Sequence, residues 1–181
     1  MSVPPDDELV VLVDDDGRAI GTAPKATVHT AATPLHRAFS CYAFHADDRL
    51  LVTRRAADKA TFPGLWTNTV CGHPGPGEDD VAAVSRRATS ELSLVVHDVT
   101  CALPAFRYRA TYAGVMENEI CPVYLARTAG EPQPDPREVG EHAWLTWDEL
   151  QKHLEREPDA WSPWCRVQVA QLGDAVSAFL G

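Results

Sequence analysis

The stretch from Cys71 to Glu78, CGHPGPGE, limits the fold more than any other part of this chain. Three glycines and two prolines fall in the six residues after Cys71. Proline lacks an amide hydrogen and has a fixed φ, so this run can be neither a helix interior nor a central strand. The glycines let the backbone turn sharply. The chain must therefore reverse here, with Cys71 and His73 placed on the turn. Val70-Cys71-Gly72 reads as the end of a strand. Asp79 to Leu92 carries alanines, arginines and apolar residues at three-to-four spacing, which predicts a helix.

Elsewhere the pattern is mostly β. Glu8 to Val13 reads as a strand with a turn at Asp15-Asp16-Gly17. Arg37 to His45 and Arg49 to Thr53 read as strands joined by a short loop, Ala46 to Asp48. Arg54 to Trp66 reads as loop, with a turn at Pro63-Gly64. Val95 to Arg109 and Val115 to Arg127 are β-rich and expected to pair. Glu131 to Pro136 is an exposed connection, and Ala143 to Leu145 a last short strand. Thr146 and Glu149 form a capping box that opens a helix to about Glu157. Ser162-Pro163 has the chemistry to start a final helix, Trp164 to Leu180. Strands with one inserted helix, then helices at the end, predict an α+β or α/β sandwich with a mixed sheet. The expected unit is one domain, residues 1–181.

At 181 residues and 45% hydrophobic, the chain can build a substantial core. A net charge of −10 argues against nucleic-acid binding, which needs a basic surface. It leaves room for a small anionic ligand in a local basic pocket. The opening MSVPPDDEL lacks the features of an export signal. No apolar run is long enough to span a membrane. The five scattered cysteines form no CxxC pair and read as free thiols in a reducing cytoplasm.

Glu117 and Glu119 lie two apart on an expected strand and so share a face. Two carboxylates held side by side repel unless a cation lies between them or one is protonated. The plain alternative is a solvated strand face. His29 and His36, in HTAATPLH, straddle a proline that breaks any helix. A loop can still bring both imidazoles to one point, and His73 offers a third. Taken together, three imidazoles and two carboxylates suit a borderline divalent ion such as Zn²⁺ or Mn²⁺, with an octahedral site open at one position. Arg54, Arg55 and Lys59, with Lys25 and the pair Arg107 and Arg109, are candidates for a diphosphate, against a plain reading as solvated charges.

Gly72, Glu78, Arg86 and Glu91 follow the spacing of the Nudix box, GX5EX7REX2EEXGU, incompletely. Arg87 and Ser90 replace acidic positions, and Ser93 replaces the late glycine. An ordinary surface ion pair between Arg87 and Glu91 would also explain part of this spacing.

These motifs, with LLVTRRA, FPGLWTNTVCGHP, FRYRA, ENEICP and WSPW, make the chain resemble the type 1 isopentenyl-diphosphate Δ-isomerases of the Nudix superfamily. The resemblance runs from about Leu9 to Trp164. It implies a Nudix-like α/β/α sandwich and conversion of isopentenyl diphosphate to dimethylallyl diphosphate. It also implies five metal ligands, His29, His36, His73, Glu117 and Glu119, holding Mn²⁺ or Zn²⁺. Cys71 and Glu119 match the catalytic pair. Glu91 matches the residue that helps hold Mg²⁺ on the substrate diphosphate. Lys25, Arg55, Lys59 and Arg87 match diphosphate contacts, and Tyr108 and Trp164 match pocket aromatics. The expected partner is this small isoprenoid diphosphate alone, without nucleic acid or membrane. A monomer is the favoured state. The rival functions are a Nudix diphosphate hydrolase and a non-catalytic isoprenoid-diphosphate binder.

Overall fold

The computed structural model describes residues 8–181. Most of the stretch read as lacking an export signal lies outside these residues. Strand β1 (Leu9–Val13) forms a hairpin with β2 (Ala19–Pro24). The turn between them is set by Asp14, whose Oδ1 accepts from the amides of Asp16 and Arg18 at 3.0 and 2.9 Å. β2 is an addition to the sequence reading. It is almost wholly exposed, so it carries no apolar alternation to reveal it. A single helical turn, α1 (Lys25–Val28), follows.

Next come β3 (His36–Arg37), β4 (Phe39–His45), β5 (Leu50–Arg55), β6 (Trp66–Thr67) and β7 (Val70–Gly72). The strand expected over Arg37 to His45 is thus divided at Ala38, and Arg54 and Arg55 belong to a strand rather than a loop. Helix α2 (Asp80–Leu92) is capped by Asp79, whose side chain accepts from the amides of Val81 and Ala82. Strands β8 (Val96–Leu103), β9 (Arg107–Tyr112), β10 (Val115–Ile120), β11 (Val123–Thr128) and β12 (Val139–Leu145) complete the sheets. Helices α3 (Trp147–Arg156) and α4 (Pro163–Leu180) end the chain. The predicted capping box is present, with Pro163 in the first turn of α4. β12 is longer than the three residues expected.

The strands form two mixed sheets. One runs β2-β1-β3-β10-β9, and the other β12-β5-β4-β11-β8 with β6 on β5 and β7 on β4. The two long β-rich stretches do pair, but each is shared between the sheets. β8 pairs with β11, and β9 with β10. The breaks fall at Pro104 and Pro122, where the missing amide hydrogen interrupts a ladder.

The second sheet is the centre of the sandwich. Along β4, Phe39 and Cys41 face α2, whereas Tyr42 and Phe44 face α3 and α4. Leu51 and Tyr124 join the α2 side, and Val52, Val123 and Leu125 the other. Burial on both faces explains why these strands read as nearly continuous apolar runs. Among the described residues, no helix is long and apolar enough to cross a membrane.

Candidate active site

A cavity of about 470 Å³ opens between β9 and β10, the end of β7, α2 and the start of α4. Every residue matched to the family's site lines it except His36, which is fully buried behind it. Period-two geometry explains one wall. Glu117 and Glu119 share a face of β10, opposite Ala110 and Tyr108 of β9. In an ordinary strand this buried face would be apolar. Here both carboxylates are only 6% exposed, which demands compensation.

That compensation comes from three imidazoles delivered by separate elements. His29 follows α1, His36 lies on β3 directly opposite Glu119, and His73 follows β7. His73 Nε2 lies 3.2 Å from both Glu119 Oε1 and His36 Nε2. His36 Nε2 is 3.4 Å from the same carboxylate oxygen. His36 Nδ1 donates to the Pro34 carbonyl oxygen at 2.9 Å, which turns its Nε2 inward. His29 Nε2 lies 3.1 Å from Glu117 Oε2, yet neither atom has a hydrogen-bond partner. One donor atom from each of these five residues lies within 4.8 Å of all the others. Buried nitrogen and carboxylate donors that converge, with His29 Nε2 and Glu117 Oε2 left unpartnered, fit a divalent cation.

Burial lowers the pKa of His73 to about 4, despite the neighbouring Glu119, so the ring is neutral at pH 7. Burial favours a protonated Glu119, but hydrogen bonds from His36 and His73 outweigh it and hold the carboxyl well below its usual range. Glu117 moves the other way, raised by burial and by the charge of Glu119.

Cys71 lies beside this cluster. Burial pushes its thiol up to about 11, so it keeps its proton at neutral pH. Close approach of α2 fixes the backbone here. A Cβ on Gly72 would meet Arg87 Cγ at 2.8 Å and the Phe39 ring at 3.0 Å. The apolar part of the cavity is made by Trp164 and Tyr108, with ring centroids 5.6 Å apart.

The other end of the cavity is cationic. Lys25 Nζ lies 2.5 Å from Glu8 Oε2, and Lys59 pairs with Glu138. Arg87 contacts Glu91 and lies 3.2 Å from Glu8. The bland reading of Arg87 and Glu91 was right about the pairing and wrong about the surface, because both are buried. Glu91 lies outside the five-residue cluster, with its carboxylate on Arg87. Arg55 donates to the carbonyls of Thr61 and Phe62, and its guanidinium lies 5.7 Å from the Trp164 ring centroid. Glu8 and Glu138 were missed by sequence reasoning. Burial disfavours both carboxylates, but Lys25 for Glu8 and Lys59 for Glu138 outweigh it and lower their pKa.

Three cations read as diphosphate candidates are elsewhere. Arg54 pairs with Glu141 at 3.3 Å, and Arg107 pairs with Asp15 at 3.0 Å. Arg109 is exposed on the same outer face of β9 as Arg107. The strand that turns Tyr108 inward turns its neighbours outward. Two box positions also have a scaffolding role. Arg86 holds Glu78 through two bonds of 2.7 and 2.8 Å and reaches the His73 carbonyl oxygen at 3.2 Å. Glu78 accepts from the Gly75 amide at 2.7 Å, so the pair clamps the Gly/Pro turn onto α2.

Comparison with known proteins agrees with this geometry. Residues 34–165 match the NUDIX domain family model. The chain is 54% identical to an isopentenyl-diphosphate Delta-isomerase of Clavibacter sepedonicus over 99% of this chain and 95% of that protein. It is 54% identical to the enzyme of the same name from Mycolicibacterium vanbaalenii, covering 93% of each. Among solved structures, a Deinococcus radiodurans protein matches with TM-score 0.69 and 19% identity, over 90% of this chain and 98% of that one. A MutT NUDIX hydrolase from Burkholderia pseudomallei matches with TM-score 0.57 and 24% identity, over 76% and 98%. These two show the shared fold.

Proposed function

The chain belongs to the isopentenyl-diphosphate Δ-isomerase family of NUDIX-domain proteins, and from that premise we propose that its cavity interconverts isopentenyl and dimethylallyl diphosphates, in one domain spanning residues 1–181. The observation that carries the reading is the meeting of the five-ligand cluster, the Cys71 thiol and the Trp164 ring in one cavity.

The reaction adds a proton to one end of an alkene and removes one from the neighbouring carbon. An unactivated alkene is a poor base, so positive charge develops on the branched carbon. We assign the proton transfers to Cys71 and Glu119, which line the same cavity. The buried face of Trp164 lies where it can stabilise a cation. Tyr108 and Trp164 enclose the apolar tail and exclude water, which would capture the cation as an alcohol. Lys25, Arg55, Lys59 and Arg87 hold the diphosphate, and its binding energy orients the tail without any P–O bond breaking.

A divalent ion, Mn²⁺ or Zn²⁺, held by His29, His36, His73, Glu117 and Glu119 would supply the charge that keeps both carboxylates ionised, while Mg²⁺ near Glu91 would offset the diphosphate. The hydrolase reading is weaker. Arg87 and Ser90 replace two carboxylates of the box, and Glu78 is committed to Arg86.

The test is NMR of metal-loaded protein with Mg²⁺ and isopentenyl diphosphate in deuterated water. Deuterated dimethylallyl diphosphate with intact phosphorus signals is expected. Released phosphate would support hydrolysis, and no change with metal bound would support a binding protein.

A further inference from the structure

Behind the cavity wall lies a buried amide that the sequence left without a role. Asn68 is fully buried and does not line the cavity. Its two ends can be told apart by what surrounds them. One end faces the carbonyl oxygens of Cys41 and Val70 at 3.0 and 2.9 Å. Carbonyls only accept, so this end is Nδ2, with both its hydrogens used. The other end lies 3.1 Å from the Trp164 indole nitrogen, which only donates. That end is therefore Oδ1. The Thr67 hydroxyl also donates to it at 2.8 Å, and the Cys71 thiol at 3.2 Å.

One oxygen atom thus receives hydrogens from the Cys71 thiol and from the Trp164 ring, both of which line the cavity. We propose that Asn68 is a positioning residue, whose Oδ1 fixes the Cys71 thiol and the Trp164 ring relative to one another. The inference rests on the isomerase reading. Its physical content is that proton transfer and cation stabilisation must share one geometry. A shared anchor sets the distance between the two groups, which separate anchors on β7 and α4 would leave free to vary. A second buried amide, Gln168, serves as the comparison. It accepts from Tyr42 at 2.8 Å and donates to Ser40 at 2.9 Å. Ser40 Oγ lies 3.5 Å from Cys71 Sγ and 3.4 Å from Cys121 Sγ. Gln168 therefore reaches the thiol only through Ser40, and makes no bond to the ring.

The test is a double-mutant cycle on kcat in the metal-loaded enzyme, using Asn68→Ala and Trp164→Phe. Phe keeps an aromatic face and removes the indole N–H. Each single variant is expected to lose about 100-fold in kcat with KM within a few-fold, as for a misplaced reacting group. The double variant is expected to be no slower than the worse single variant by more than about threefold, because both changes break the same link. Multiplicative losses would overturn the proposal, as would an Asn68→Ala enzyme that folds and keeps its kcat. Should Asn68→Ala fail to fold, Trp164→Phe against Gln168→Leu decides. Coupling through Asn68 predicts independent losses for that pair, and strong coupling there would overturn it. Wild-type enzyme that fails to isomerise would sink the functional reading instead.

Discussion

The two ends of the cavity solve opposite electrostatic problems. At the end where we propose the metal binds, two buried carboxylates face three imidazoles, and His29 Nε2 and Glu117 Oε2 are left without partners. At the cationic end, where we propose the diphosphate binds, Lys25, Lys59 and Arg87 already have carboxylates, from Glu8, Glu138 and Glu91. The first end is incomplete until a cation is added. The second is complete until an anion displaces one. Under the proposed assignment, binding at the first end would be addition, and at the second it would be exchange. An exchange site costs some affinity, yet it avoids leaving one buried and two half-buried cations unpaired in the empty enzyme.

The largest effect should come from the two groups assigned to proton transfer. Cys71→Ala and Glu119→Gln are each expected to lower kcat by 10³-fold or more, the upper part of the range for acid–base catalysis. Circular dichroism should show the fold intact. A variant with near-normal turnover would remove its residue from the proton-transfer pair.

Next in size is removal of the metal. If the cluster holds an ion in the folded state, stripping it with a chelator should abolish turnover and lower Tm. A hundredfold excess over Kd contributes about 2.7 kcal/mol, or roughly 5–10 °C for a chain of this length. Mn²⁺ or Zn²⁺ should restore both. If Tm did not move, the cluster would not be the ion's site.

A smaller effect should come from Glu138→Gln. If Glu138 is the anion that diphosphate displaces, KM should fall about threefold with kcat unchanged. A higher KM would mean that Glu138 instead holds Lys59 in place. The same variant tests the electrostatics. Lys59 and Arg87 lower the carboxyl pKa in the folded state. Its stabilisation is therefore present above the ordinary carboxylate pKa, about 4.3, and is lost as pH falls below it. Glu138→Gln should narrow the difference in stability between pH 7 and pH 3.

The metal end was legible in the sequence because its logic is local. Glu117 and Glu119 share a face by strand periodicity, and two buried like charges ask for a cation. The diphosphate end was only half legible. Its cations stood out in an acidic chain, but Glu8 and Glu138 did not. Arg87 and Glu8 are 79 residues apart, as are Lys59 and Glu138, and only tertiary packing shows that they meet. Asn68 was quoted within its motif and given no role, since the meaning of an amide lies in the groups it touches. Arg107 and Arg109 were a different failure. Strand alternation alone places them opposite to Tyr108, so the same rule that found the glutamates should have excluded them. The division of strands between two sheets was hidden too, because a β-rich run does not say where its partner changes.

The smallest effect belongs to a box position that touches neither end. Ser93 stands where the family pattern has glycine. It terminates α2 in the left-handed region, φ 54° and ψ 28°, with its amide on the carbonyls of Ala88 and Thr89. A Cβ in this conformation costs roughly 1 kcal/mol. The serine recovers part of this through its hydroxyl, which donates to the Gln133 carbonyl oxygen at 3.3 Å from an exposed position. That bond is long and solvated, so the strain should outweigh it. Ser93→Gly is expected to stabilise the protein by about 0.5 kcal/mol, a rise in Tm of roughly 1–2 °C, with kcat and KM unchanged. An unchanged or lower Tm would mean that the link to Gln133 matters more than the strain. The connection from Pro132 to Asp135 already bonds the end of α2 through the Leu92 and Glu91 carbonyls, so a structural cost confined to this junction would then be the cause. Either result leaves the chemistry untouched, because Ser93 lies outside the cavity that joins the two ends.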